Sequence, residues 1–199
     1  MARGPFPLVM FAPGYVQCRS SYTALLHAWA SAGYVVAAVE FPRTHCRLSA
    51  PDEADLSNQP ADLSFVISRL LAASSRSVGP LSGLIDPAKI AVAGHSDGGD
   101  TAAAVAADTC CRDRRVSAAL ILSGAEWPPL GGRYFPAGTP PMLVVQGTDD
   151  TWNPPLVARV TVAFLDRYLS GQAGQASALE TAGHVPGVAE LGRDGRLPG

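Results

Sequence analysis

Five short apolar runs, at residues 8–11, 34–39, 90–93, 118–122 and 142–146, recur along this chain, and most are apolar at every position rather than at every second one. A strand that is apolar on both faces must be covered on both faces, the condition of a parallel sheet between two layers of helix. The stretches between the runs supply that cover, with helical patterns over 22–32, 59–73, 99–108 and 155–169. Breakers separate them: Phe41-Pro42, Asp86-Pro87 and the proline- and glycine-rich stretch 127–141. A last short strand is expected near 176–181. Neither an internal repeat nor a dividing linker interrupts the pattern, so residues 1–199 read as one doubly wound α/β domain. Its hydrophobic fraction of 47% is enough to fill a substantial core.

Between the third run and the alanine-rich helical stretch stands Gly94-His95-Ser96-Asp97-Gly98. In a chain with 20 glycines a bare G-x-S-x-G carries little weight, and a glycine-rich turn with an idle serine is the plain alternative. Strand before and helix after change its meaning. At such a junction the turn is so sharp that the serine takes a strained backbone conformation and lifts its hydroxyl into the open, while small flanking residues keep strand and helix apart. This is the nucleophile elbow.

Composition removes several other classes. The net charge of −2, without runs of like charge, speaks against a nucleic-acid partner. The one basic cluster, Arg112, Arg114 and Arg115 around Asp113, reads as a solvated loop. No stretch approaches the roughly 18 apolar residues of a membrane span. Met1-Ala2-Arg3-Gly4-Pro5 leads into a strand rather than a signal peptide, so a soluble chain is expected, cytoplasmic as it stands and secreted if a leader precedes it. The four cysteines lack metal-ligand spacing. Cys18 with Cys46 is a candidate disulfide. Adjacent Cys110 and Cys111 are expected as free thiols or bonded elsewhere, because neighbours bridge only with strain.

A serine hydroxyl needs a base to take its proton and a carboxylate to orient that base. Of four histidines, His27 falls in a helix, His45 in an early loop, and His95 beside the serine, where it shapes the pocket wall. His184, in Ala182-Gly183-His184-Val185-Pro186, lies on a glycine-flanked loop late in the chain. The acid is sought in Gly147-Thr148-Asp149-Asp150-Thr151, just past the fifth strand. Turn geometry favours Asp150, with Asp149 as a turn former, though both remain open. Ser96, Asp150 and His184 then follow the order nucleophile, acid, base. The oxyanion hole needs two amides, one from Asp97 after the nucleophile and one from the loop Phe11-Ala12-Pro13-Gly14-Tyr15, where Tyr15 supplies it. Tyr15, His95, Trp127 and Trp152 are candidates for lining the substrate site. For both tryptophans, mere packing of loops is the alternative.

Ala12-Pro13-Gly14-Tyr15, Ser20-Ser21-Tyr22, Trp29-Ala30-Ser31-Ala32-Gly33-Tyr34-Val35-Val36 and Gly94-His95-Ser96 together resemble the bacterial cutinase and polyester hydrolase branch of the α/β-hydrolases. Dienelactone hydrolase-like and chlorophyllase-like esterases are related to that branch. The resemblance runs from about Leu8 to His184. It implies an α/β-hydrolase fold, Ser96, Asp150 and His184 as the triad, and the Tyr15 and Asp97 amides as the oxyanion hole. Two departures stand out. Asp97 replaces the methionine usual in polyester-degrading members, and the chain lacks the first strands and the last helix of the family pattern. The missing strands leave an exposed sheet edge, so a monomer and a homodimer are both compatible with the sequence.

The reaction expected is hydrolysis of a carboxylic ester, small or polymeric, through an acyl-enzyme, with no metal or organic cofactor called for. A peptidase, thioesterase or perhydrolase would use the same triad. From a different class, a catalytically impaired hydrolase-like binding or interaction domain is the alternative.

Overall fold

The computed structural model describes residues 4–147, 153–172 and 176–192. Its strands are β1 (Phe6–Ala12), β2 (Val35–Ala38), β3 (Ile85–His95), β4 (Val116–Leu122) and β5 (Met142–Val145). They form one sheet in the order β2-β1-β3-β4-β5, parallel throughout. The helices are α1 (Thr23–Ser31), α2 (Gln59–Ser74), α3 (Asp97–Ala107), α4 (Pro154–Tyr168) and α5 (Ala176–Gly183). This is the doubly wound arrangement that the apolar runs require.

Alternation along β1 shows why both faces are apolar. Leu8, Met10 and Ala12 join a core with Leu63 and Ile67 of α2 and the alanines of α3. Val9 and Phe11 point the other way, into a core with Trp29 of α1 and Val160, Phe164 and Leu165 of α4. Two polar bonds fix that second layer: Trp29 Nε1 donates to Thr161 Oγ1 (2.9 Å) and Tyr34 Oη to Asp166 Oδ1 (2.7 Å). Asn153 caps α4 by accepting the Leu156 amide, and Pro154 begins the helix where no amide is needed.

Two expectations are corrected. Residues 176–181 belong to helix α5 and not to a strand. The segment Ala176-Ser177-Ala178-Leu179-Glu180-Thr181-Ala182 is built of helix formers, and Leu179 and Ala182, three apart, bury one face against the α4 core. Cys110 and Cys111 are disulfide-bonded to each other, their Cα atoms 3.8 Å apart. Asp108 shapes the turn that joins them: its Oδ1 accepts the Cys110 amide, and its carbonyl accepts those of Cys111 and Arg112. Cys18 and Cys46, the candidate pair, are disulfide-bonded. No helix among the described residues is long and apolar enough to cross a membrane.

Candidate active site

Because all five strands are parallel, their carboxyl ends and the loops after β1, β3 and β4 converge on one edge of the sheet, where α/β sheets open a crevice. Ser96 stands there between β3 and α3, with φ 53° and ψ −127°. This is a region L-residues avoid, at a cost of about 1–3 kcal/mol. The surroundings hold it: Ser96 N–H donates to the Leu122 carbonyl (2.9 Å), and its own carbonyl accepts the Gly99 and Asp100 amides. Glycines permit the approach. A Cβ on Gly94 would collide with the Gly98 carbonyl, and one on Gly98 with the carbonyl of Ala12.

The loop after β1 lies directly against the serine. A Cβ on Gly14 would stand 3.1 Å from the His95 carbonyl oxygen and 3.2 Å from Ser96 Cβ. Beyond it the chain is stapled to the loop after β2. Val16 N–H donates to the Thr44 carbonyl (2.8 Å), Tyr15 Oη donates to the Pro51 carbonyl (3.2 Å), and Cys18 is bonded to Cys46. Val16 itself has φ 54°, unusual for a β-branched residue.

A buried polar chain runs underneath. Gln59, 1% exposed, donates from Nε2 to Thr44 Oγ1 (3.0 Å) and accepts at Oε1 from Thr101 Oγ1 (2.8 Å). It ties the loop after β2 to the first turns of α3. On the other side Tyr22 Oη accepts the Gly14 amide (3.3 Å) and lies 2.9 Å from His95 Nδ1. Neither connection was visible in the sequence. Gln59 reads there as the polar start of a helix, and Tyr22 as one residue of a resembling segment.

Asp97, at the first position of α3, has its carboxyl pushed up from the ordinary aspartate range by burial, then by Asp100 and Glu53; its own amide and the Ser96 hydroxyl act in the opposite direction. Its Oδ2 is buried without a hydrogen-bond partner. Asp100 is also raised by burial, offset by the Ala125 amide, which donates to it (2.7 Å). An acidic side thus flanks the serine.

His184 is exposed and directly follows α5. It lines a groove of about 970 Å³ between α4 and α5, with Arg159, Asp166, Thr181 and Pro186 among its neighbours; Ser96 is not among the lining residues. Trp127 is half-buried in the loop after β4, its amide donating to Tyr134 Oη (3.0 Å). Asp149, Asp150 and Trp152 lie outside the described residues. His27 is exposed on α1 beside Ser31, and His45 sits 3.8 Å from Glu40. Among the described residues, no three His, Cys, Asp or Glu side chains converge as a metal site would require.

A family model described as Chlorophyllase matches residues 1–134, which take in the β1 loop and the serine turn. Among solved structures, the chain is similar to a ferulic acid esterase from Streptomyces cinnamoneus. Identity is 26% and the TM-score 0.51, over 92% of this chain and 62% of that one. The chain therefore spans less than two thirds of that esterase. Comparison with curated proteins gives no match.

Proposed function

The chain belongs to the chlorophyllase family of α/β-hydrolases, and from that premise we propose that it is a serine hydrolase of carboxylic esters, of the cutinase and lipase kind. The observation that carries this reading is the backbone of Ser96, held at φ 53° between β3 and α3 with Gly14 against its Cβ. Strain of this kind persists only where the surroundings enforce it, and it clusters at reacting groups.

In the proposed reaction Ser96 Oγ attacks the ester carbonyl as His184 takes its proton, with Asp150 orienting the imidazole. The oxyanion is met by the amides of Tyr15 and Asp97, the latter at the positive end of α3. The carbon–oxygen bond to the alcohol breaks, and the alcohol leaves with the proton from His184. Water, activated by the same histidine, then releases the acid and restores Ser96. Trp127, Trp152, His95 and the Tyr15 side chain are proposed to line the substrate site. The carboxyl of Asp97 favours neutral acyl groups over anionic ones.

The test is labelling with a fluorophosphonate probe, together with turnover of p-nitrophenyl acetate and butyrate. Wild type is expected to label at Ser96, and Ser96→Ala to lose both labelling and turnover by several orders of magnitude. Folded wild type that neither labels nor turns over would point instead to a binding domain. Comparing Asp150→Asn with Asp149→Asn assigns the acid, the larger loss being expected at Asp150.

A further inference from the structure

Resting on that esterase reading, we infer that Tyr22 is a positioning residue for the oxyanion hole, its hydroxyl joining the Gly14 amide to His95 Nδ1 and so locking the β1 loop onto the serine turn. The two distances are 3.3 and 2.9 Å. One hydroxyl can serve both partners: Tyr22 Oη accepts the Gly14 N–H with a lone pair and donates its own hydrogen to Nδ1, which leaves His95 with its proton on Nε2. Burial raises the Tyr22 pKa, against the Gly14 hydrogen bond that lowers it, so the phenol keeps the hydrogen it donates.

The position of these partners gives the bond its leverage. His95 is the residue before the nucleophile, and Gly14 the residue before the proposed donor Tyr15. Fixing the Gly14 amide fixes the peptide plane next to the one that carries the Tyr15 N–H. The ring of Tyr22 is set by packing, 4.6 Å between centroids from Phe11 and 5.6 Å from His95, and the residue is 7% exposed. The hydroxyl is therefore delivered from a rigid base on the core side of the loop. An oxyanion donor acts only if it is aimed before charge develops.

Tyr22→Phe removes the hydroxyl and leaves the ring. For p-nitrophenyl butyrate, kcat is expected to fall roughly tenfold, a part of the 10²–10³ lost when a donor is removed outright, with KM within about twofold. Affinity for a trifluoromethyl ketone, whose adduct places an oxyanion in the hole, is expected to fall in parallel. Amide hydrogen exchange over residues 12–18 is expected to quicken. Val160→Ala, a remote core variant, serves as the stability control, with a lowered Tm and unchanged kcat. Tyr22→Phe with undiminished kcat and ketone affinity overturns the assignment, as does a loss confined to KM. Wild type that fails to label with fluorophosphonate overturns the esterase reading and this role with it; labelled wild type with an unimpaired variant overturns this role alone.

Discussion

Gly14 and Ser96 face each other across the end of the sheet so closely that a methyl group on the glycine would stand 3.2 Å from the serine Cβ. The β1 loop and the serine turn are thus one packed unit, joined directly through Tyr22 and backed by Gln59, which ties the loop after β2 to α3. Two glycines of this unit are expected to behave differently on substitution. Gly14→Ala meets the His95 carbonyl and Ser96 Cβ at distances a few tenths of an ångström too short, so the loop shifts without unfolding. Turnover of p-nitrophenyl butyrate is expected to drop about tenfold or more, since small misplacements are costly at a reacting centre, while Tm moves by only a few degrees. Gly98→Ala drives a Cβ into the Ala12 backbone, where nothing can yield. Its expected outcome is loss of the folded protein, read by circular dichroism.

Val16 holds a left-handed backbone at φ 54° although it is β-branched and 37% exposed. Its conformation is imposed by the Thr44 hydrogen bond and the nearby Cys18–Cys46 bond. Val16→Asn places there a residue that tolerates this region. A gain of about 1 kcal/mol in unfolding free energy is expected from urea titration. Val16→Ile, still β-branched, is expected to gain nothing.

Asp97 makes stability depend on pH with a definite sign. Its folded pKa lies above the ordinary aspartate value of 3.8, so the folded state binds this proton more tightly than the unfolded one. The contribution is full below 3.8 and is lost as pH rises through the raised value. Above that, a partly desolvated charge beside Asp100 and Glu53 opposes folding. Asp97→Asn is therefore expected to show a Tm advantage over wild type that is small near pH 4 and widens toward pH 7. Asp100, raised for the same reason of burial, keeps part of the slope in the variant. The substitution is also expected to raise kcat/KM for a p-nitrophenyl ester with an anionic acyl chain, relative to butyrate, by about threefold to tenfold at low salt.

The legible part of this molecule is what periodicity and local punctuation encode. β1, β3 and β4 are apolar on both faces and were recoverable as buried parallel strands, and the run into Gly94-His95-Ser96-Asp97-Gly98 marked the sharp turn at Ser96. Residues 176–181 read as a strand because a short segment late in an α/β chain invites one, whereas their alanines, leucine and glutamate favour helix once α4 offers a face to pack on. The Cys110–Cys111 bond depended on a turn made by Asp108. Tyr22 and Gln59 were illegible for a different reason. Their partners are 8 to 73 residues away in sequence and are met only when the loops after β1 and β2 close over α3.

Gln59 gives a test of that closure. Its amide bridges Thr44 and Thr101 in a chain of buried bonds, and both threonines are themselves almost fully buried. Gln59→Leu keeps the volume and removes both bonds, leaving Thr44 Oγ1 without its donor and Thr101 to fall back on the Asp97 carbonyl, 3.0 Å away. A buried polar group left unpaired costs about 1–3 kcal/mol, so a loss of roughly 2 kcal/mol is expected in urea unfolding. Gln59→Glu retains the acceptor for Thr101 but loses the amide donor, and is expected to fall between wild type and the leucine variant once ionisation is suppressed at low pH. Because Thr44 also accepts the Val16 amide, hydrogen exchange over residues 14–18 is expected to quicken in Gln59→Leu. Equal stability of wild type and Gln59→Leu would show that the two loops hold their places without this bond.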